Sequence, residues 1–196
     1  MKNKNYEVEV PEGYKVAKVI DAANTKFGVL MNVFAGVIGI VLMGIFILIY
    51  RKDYKEFSFD YEVLIKFLIV MVCYILLTII HELLHGLAYK ILTKRKLKFG
   101  LTFTVAFCGV PDIYVYRKAA IISLLTPCVV ISIASLIGII LVNDSAIRLG
   151  LIFLFSFHFG GCSGDLYGFL LYLFKFRDKT TLMNDTGPKQ TFYVKE

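Results

Sequence analysis

The chain has 196 residues, of which 58% are hydrophobic and 15% aromatic, with a mean hydropathy of +0.71. This composition excludes an ordinary water-soluble domain and indicates an integral membrane protein. The formal net charge of +7 does not indicate a nucleic-acid partner, because the basic residues flank the apolar runs. The four cysteines form no CxxC pair, so neither a zinc ribbon nor a disulfide framework is predicted.

The first half of the chain contains two predicted spanning helices. In the polar segment 1–26, the alternation over Tyr6–Val10 predicts a short strand that adds one edge to a sheet. Phe27–Tyr50 is uncharged and long enough to cross a bilayer of about 30 Å. Tyr61–Leu92 is the second helix, and it ends at the basic cluster Lys94–Lys96.

The segment after the second helix does not read as a spanning helix. Lys96–Val105 partly alternates polar and apolar residues, Cys108–Asp112 offers turn residues, and Ile113–Tyr116 is predicted as a return strand. We expect a β-hairpin that dips toward the membrane, with an irregular interfacial loop as the alternative. Such a hairpin can pair with an extended peptide by strand addition.

Two further apolar runs complete the fold class. Ala119–Val142 is the third predicted helix, kinked at Thr126-Pro127. The fourth run, Ile147–Phe176, is interrupted by the glycine-rich stretch His158–Gly168. The sequence therefore predicts an all-α integral membrane protein with four transmembrane helices and a small β-hairpin or re-entrant segment between helices two and three.

The basic residues predict the orientation. The N-terminal segment carries five basic residues, the stretch from Lys90 to Lys118 seven and the stretch from Lys175 onward five, against three and one in the opposite loops. The positive-inside rule then makes both termini cytoplasmic, in a multi-pass protein of the cell membrane. The predicted organisation is a cytoplasmic segment 1–26, a four-helix membrane domain 27–176 and a cytoplasmic tail 177–196.

The second helix carries a candidate metal site. His81 and His85 are four residues apart, so they project from one helix face and can bind one metal ion. Glu82 can take a proton from water on that metal, as in the HExxH metalloprotease motif. An ionisable group at the centre of a spanning helix costs roughly 2.5–3.5 kcal/mol, so such residues are usually functional. The alternative is that these side chains only pair with neighbouring helices.

Asp165 is the predicted third ligand, because a carboxylate inside an apolar run needs a cationic partner. His81 lies nine residues before Lys90 and Asp165 ten residues before Lys175, which places both at a similar membrane depth. His158, seven residues before Asp165, is the other candidate: an alternative ligand, a hydrogen-bond partner of a ligand, or an oxyanion donor. The sequence leaves this choice open.

Residues around Asp165 suggest how the fourth run approaches the second. The spacing of Gly160, Gly164 and Gly168 predicts a small-residue ridge for close packing, or else a local unwinding. Cys162 is a weaker candidate for the metal, and Asp112 reads more simply as a turn residue.

The pattern His81-Glu82-Leu83-Leu84-His85-Gly86, followed by an aspartate in a glycine-containing break, resembles the site-2 protease class of intramembrane metalloproteases. It is more similar to a bacterial family of small zincin membrane peptidases with HELxHG and a later Gly-Asp. The resemblance implies zinc on His81, His85 and Asp165, with Glu82 as catalytic base. The site-2 proteases have Leu-Asp-Gly in their later motif, where this chain has Ser163-Gly164-Asp165-Leu166.

These observations predict a zinc-dependent endopeptidase that cleaves a membrane-protein or peptide substrate within the bilayer, near the cytoplasmic side. His158 and Tyr167 are candidates for stabilising the oxyanion. One alternative is a transporter of metal ions or protons, which the clustering of polar residues at one depth disfavours. The other is a catalytically inactive relative that binds a membrane partner.

Overall fold

The structure is a computed structural model that describes residues 5–54, 60–103 and 105–196, apart from the side chain of Thr25. Parts of the predicted N-terminal segment and of the loop after the first helix, and residue 104 of the predicted strand, therefore lie outside the described residues. Within the described part the chain forms five helices: Thr25–Ile49 (α1), Tyr61–Thr93 (α2), Arg117–Leu141 (α3), Ser145–Gly161 (α4) and Ser163–Phe174 (α5).

Three of the helices begin at a capping side chain. The Asn24 Oδ1 accepts hydrogen bonds from the backbone N–H groups of Lys26 and Phe27 at the start of α1. Asp60 and Asp144 cap α2 and α4 in the same way. These caps satisfy N–H groups that have no partner within the helix, and they explain where the apolar runs become helical.

The helices are those of a membrane protein. Among the described residues, α1, α2 and α3 are each long and apolar enough to cross a membrane, and α4 and α5 qualify together as a pair bent by 48°. The most apolar window of α2 has none of its residues buried inside the protein. So large an exposed apolar surface requires lipid around it. The predicted fourth run is thus two helices with a bend at Cys162.

A five-stranded antiparallel sheet corrects the expectation of an all-α protein with one hairpin. The N-terminal segment supplies both edge strands of this sheet, where the sequence predicts one. The residues before α3 and the C-terminal tail supply the three inner strands, so these segments meet at one end of the helices. The strand order is β1 (Tyr6–Glu7), β5 (Tyr114–Tyr116), β6 (Leu182–Asp185), β7 (Lys189–Lys195) and β2 (Tyr14–Asp21).

The predicted hairpin between α2 and α3 is confirmed, with a different return strand. β3 (Lys98–Leu101) pairs with β4 (Ala106–Gly109), whereas the predicted return strand belongs to the five-stranded sheet. A Cβ at Gly86 of α2 would lie 2.8 Å from the Phe99 ring and 3.3 Å from the Cys108 Sγ. The absence of a side chain at Gly86 therefore lets the hairpin pack against α2 beside the HExxH motif.

The main buried cluster joins the sheet to the adjoining helix ends. Tyr89 of α2, Leu124 of α3 and Tyr172 of α5 pack in one cluster with Phe192 of β7. The Tyr172 and Phe192 ring centroids are 5.2 Å apart. Tyr89 lies one helical turn after His85, so this core fixes the neighbouring helices just beyond the motif.

Candidate metal centre

His81 and His85 present their rings on one face of α2. The ring centroids are 4.8 Å apart, and the two Nε2 atoms are separated by 3.1 Å. This geometry follows from the helix, where residues four apart are neighbours on the surface. His85 is buried and His81 is partly buried, so both rings lie inside the protein rather than in the lipid.

Asp165 reaches the two histidines from the first turn of α5. Its Oδ2 lies 3.2 Å from the Nε2 of His81 and 3.3 Å from the Nε2 of His85. The bend at Cys162 begins a new helix three residues before Asp165. Its carboxylate therefore lies at a helix N-terminus, where the helix dipole favours negative charge.

The three facing atoms have a chemistry that requires a cation. The Nδ1 of His85 lies 2.9 Å from the carbonyl oxygen of Ser123, which can only accept, so Nδ1 carries the proton. The Nε2 of a neutral His85 is then a lone pair, directed at another imidazole nitrogen and at the Asp165 carboxylate. Lone pairs brought this close are stabilised by a metal ion or a proton between them.

Zinc, which the motif implies, fits this donor set. Tetrahedral zinc with bonds near 2.05 Å separates its ligand atoms by about 3.3 Å. The three separations here are 3.1, 3.2 and 3.3 Å. His81, His85 and Asp165 also form one of two described groups whose possible ligand atoms all lie within 4.8 Å of one another.

His158 lies behind His81. Its Nε2 is 3.1 Å from the Nδ1 of His81, on the side of that ring turned away from His85. The Cys162 Sγ is 3.9 Å from the same His158 nitrogen, and these three residues form the second possible ligand group. His158 contacts the Nδ1 of His81, whereas Asp165 contacts the Nε2 of the same ring. The position of His158 therefore favours a role in orienting the His81 ring and not the role of third ligand.

Glu82 lines a cavity at the metal centre, and this cavity has a volume of about 260 Å³. The cavity is also lined by both motif histidines, His158 and Asp165. Glu82 accepts a hydrogen bond from the backbone of Cys108 in β4. The structure thus brings all five predicted site residues to one cavity, with the carboxylate of Glu82 held by the hairpin.

The remaining sequence candidates lie elsewhere. Asp112 is exposed in a turn, as its sequence context suggests. Tyr167 packs its ring against Phe27, with centroids 6.1 Å apart, and is not among the residues that line the cavity in the described part of the chain. Of the three glycines predicted as a ridge, only Gly160 meets another backbone; a Cβ at Gly164 would have open space around it.

Asp185 is the site residue that the sequence analysis missed. It lines the cavity from β6, is only 3% exposed, and accepts hydrogen bonds from the Tyr89 hydroxyl at 2.6 Å and the Gly187 N–H at 2.9 Å. Burial raises the pKa of Asp185 to about 6, although both hydrogen bonds oppose the shift. Its sequence context, Asn-Asp-Thr-Gly, reads as an ordinary turn and carries no signal for a buried carboxylate.

Residues 74–181 match the model of a family described as "putative zincin peptidase". No curated protein and no solved structure matches the chain. The matched stretch, 108 of the 196 residues, contains both the HExxH motif and Asp165. The chain therefore belongs to this family of zincin-type peptidases.

Proposed function

We propose that the protein is a zinc-dependent endopeptidase that hydrolyses peptide bonds inside the membrane, near its cytoplasmic side. His81, His85 and Asp165 hold the metal in this proposal, and Glu82 is the catalytic base. The observation that carries it is the convergence of three lone-pair donors, from two different helices, at the spacing of a tetrahedral zinc site.

The chemistry divides between the metal and Glu82. Bound zinc supplies a Lewis acid that polarises a carbonyl and lowers the pKa of water toward neutrality. The Glu82 carboxylate lines the cavity beside both histidines, so it can take the proton of the attacking water and pass it to the leaving amine. The hydrogen bond from the Cys108 backbone helps to hold this carboxylate beside the histidines.

The location follows from the helices and the charges. The motif lies within the long apolar helix α2, and its first residue, His81, is twelve residues before the last residue of that helix, Thr93. The basic residues concentrate in the N-terminal segment, in the region between α2 and α3, and in the tail. These segments meet in the sheet at one end of the helices, so we place that end and both termini in the cytoplasm.

Substrate binding by strand addition is consistent with the position of β4. Among the described residues, β3 is the only strand that pairs with β4. Four consecutive residues, Val105–Cys108, line the cavity next to Glu82. Apart from the Cys108 N–H, which binds Glu82, the backbone groups at this edge can pair with an extended segment of a membrane protein, because unpaired backbone groups are costly in a medium without water.

The experiment compares purified wild type with Glu82→Gln for bound zinc and for cleavage of a panel of single-span membrane proteins. We expect the variant to keep zinc and to lose at least 100-fold of the cleavage rate, because Glu82 moves the proton without holding the metal. Glu62→Gln is the matched control, since Glu62 lies on the same helix, exposed, and pairs with Lys66. It should retain full activity.

Undiminished cleavage by Glu82→Gln would remove Glu82 from its role. Wild-type protein that binds no zinc at micromolar concentration contradicts the metal site itself. Zinc flux into proteoliposomes, in place of cleavage, identifies the transporter that the sequence leaves as an alternative.

A further inference from the structure

Helix α3 contains a buried proline, Pro127, in its interior. In an α-helix the N–H of residue i donates to the carbonyl of residue i−4. Pro127 has no N–H, so it cannot donate to the carbonyl of Ser123, four residues earlier. Both residues are buried, and water is therefore a poor substitute for the missing donor.

The Ser123 carbonyl has instead the Nδ1 of His85 at 2.9 Å. Ser123 is fully buried and His85 is 7% exposed, so each needs its polar atom satisfied within the protein. The contact joins α2 to α3, because the two residues are 38 positions apart in the chain.

We propose that Pro127 is a positioning residue for the metal centre. By withholding an N–H, it leaves the Ser123 carbonyl for His85. That hydrogen bond keeps the proton on Nδ1 and turns the Nε2 lone pair toward Asp165, whose Oδ2 is 3.3 Å away. Hydrogen bonds of this kind orient metal-binding histidines in general. The effect on zinc affinity rests on the proposed function, whereas the state of the His85 ring does not.

A change of Pro127 to alanine adds the competing donor. The new N–H points at the Ser123 carbonyl along the helix, competes with the Nδ1 of His85 for this acceptor and weakens the His85 hydrogen bond. His85 is then held less firmly in its tautomer and ring orientation. We expect zinc affinity to fall by about 10- to 100-fold, the usual consequence of losing such an orienting partner.

The test measures the zinc dissociation constant of the purified full chain by competition with a chelator. Thr126→Ala is the matched control, because the Thr126 hydroxyl bonds the neighbouring carbonyl of Ile122 at 2.6 Å and leaves Ser123 untouched. A second variant carries an ester-linked lactic acid at position 127, which lacks both the ring and the N–H. The Thr126→Ala variant and the ester variant should both bind zinc within about threefold of wild type, because neither adds a donor that competes for the Ser123 carbonyl.

The second readout is the imidazole nitrogen spectrum of zinc-free protein labelled with ¹⁵N-histidine. The chain has three histidines, so the His85 signals can be assigned by their loss in His85→Gln. We expect a protonated, hydrogen-bonded Nδ1 in wild type and in the ester variant, and its loss or exchange with solvent in Pro127→Ala. This measurement holds even if the wild type proves to have no peptidase activity.

Two outcomes overturn the inference. One is a Pro127→Ala protein with wild-type zinc affinity and an unchanged His85 Nδ1 proton. The other is an ester variant as impaired as Pro127→Ala, because the loss would then come from the ring or the helix shape and not from competition for the carbonyl.

Discussion

Replacing Gly160 by alanine tests a close backbone contact between α1 and α4. A Cβ at this position would lie 2.2 Å from the carbonyl oxygen of Ala35 and 3.2 Å from the backbone nitrogen of Gly39. Ordinary contacts begin near 3.4 Å, so the two helices must separate by about 1 Å. Overpacking of this kind costs roughly 1–3 kcal/mol, and the better helix propensity of alanine returns less than about 1 kcal/mol.

We therefore expect Gly160→Ala to lose about 1–2 kcal/mol of stability. For a chain of this length that corresponds to a fall in melting temperature of roughly 2–8 °C, measured in one detergent at one protein concentration. Gly161→Ala is the matched control, because a Cβ there meets nothing within 4 Å. A Gly160→Ala protein that melts at or above the temperature of Gly161→Ala would refute the close helix contact.

Two further predictions address the carboxylates. Asp165→Asn should weaken zinc binding at least tenfold more than His158→Ala. The first change removes a charged ligand atom, whereas the second removes a partner of His81. Zinc affinities measured by chelator competition in the reverse order would make His158 the third ligand. Asp185 has a folded-state pKa of about 6 against 3.8 unfolded, so its contribution to stability is full below pH 4 and is lost as the pH rises to 6. In zinc-free protein, the unfolding free energy of wild type relative to Asp185→Asn should fall by up to about 3 kcal/mol over that range; a difference that stays constant contradicts the raised pKa.

The features that the sequence predicts best are those with a local signal. The spans follow from runs of apolar residues, and each predicted end of the first three lies within two residues of the observed helix. The spacing of His81 and His85 on a helix also implies their shared face without any tertiary information. The pairing of Asp165 with His81 rests on their similar membrane depth, which two helices running in the same direction make comparable, and Asp165 ranks above His158 because the glycines cluster around it.

The errors concern pairing between distant segments. Ile113–Tyr116 reads as a strand, and three of its residues do form one, but its partners are β1 and β6, which lies nearly 70 residues later. The C-terminal tail has no motif, and yet it supplies Asp185 to the cavity. Such pairings depend on which buried surfaces fit together, and a single sequence does not state this.

The amino-acid order alone determined that the chain enters a membrane and that one helix presents two imidazoles and a carboxylate, because hydropathy and helical periodicity are local properties. Only the tertiary structure decided which groups from other segments contact that helix face or line the cavity beside it. The bend at Cys162 brings Asp165 to the histidines, the packing of α3 against α2 brings the Ser123 carbonyl to His85, and the tail contributes Asp185 to the lining of the cavity. Each of these depends on the packing of helices and strands that are far apart in the chain, where contact is governed by shape and burial rather than by sequence spacing.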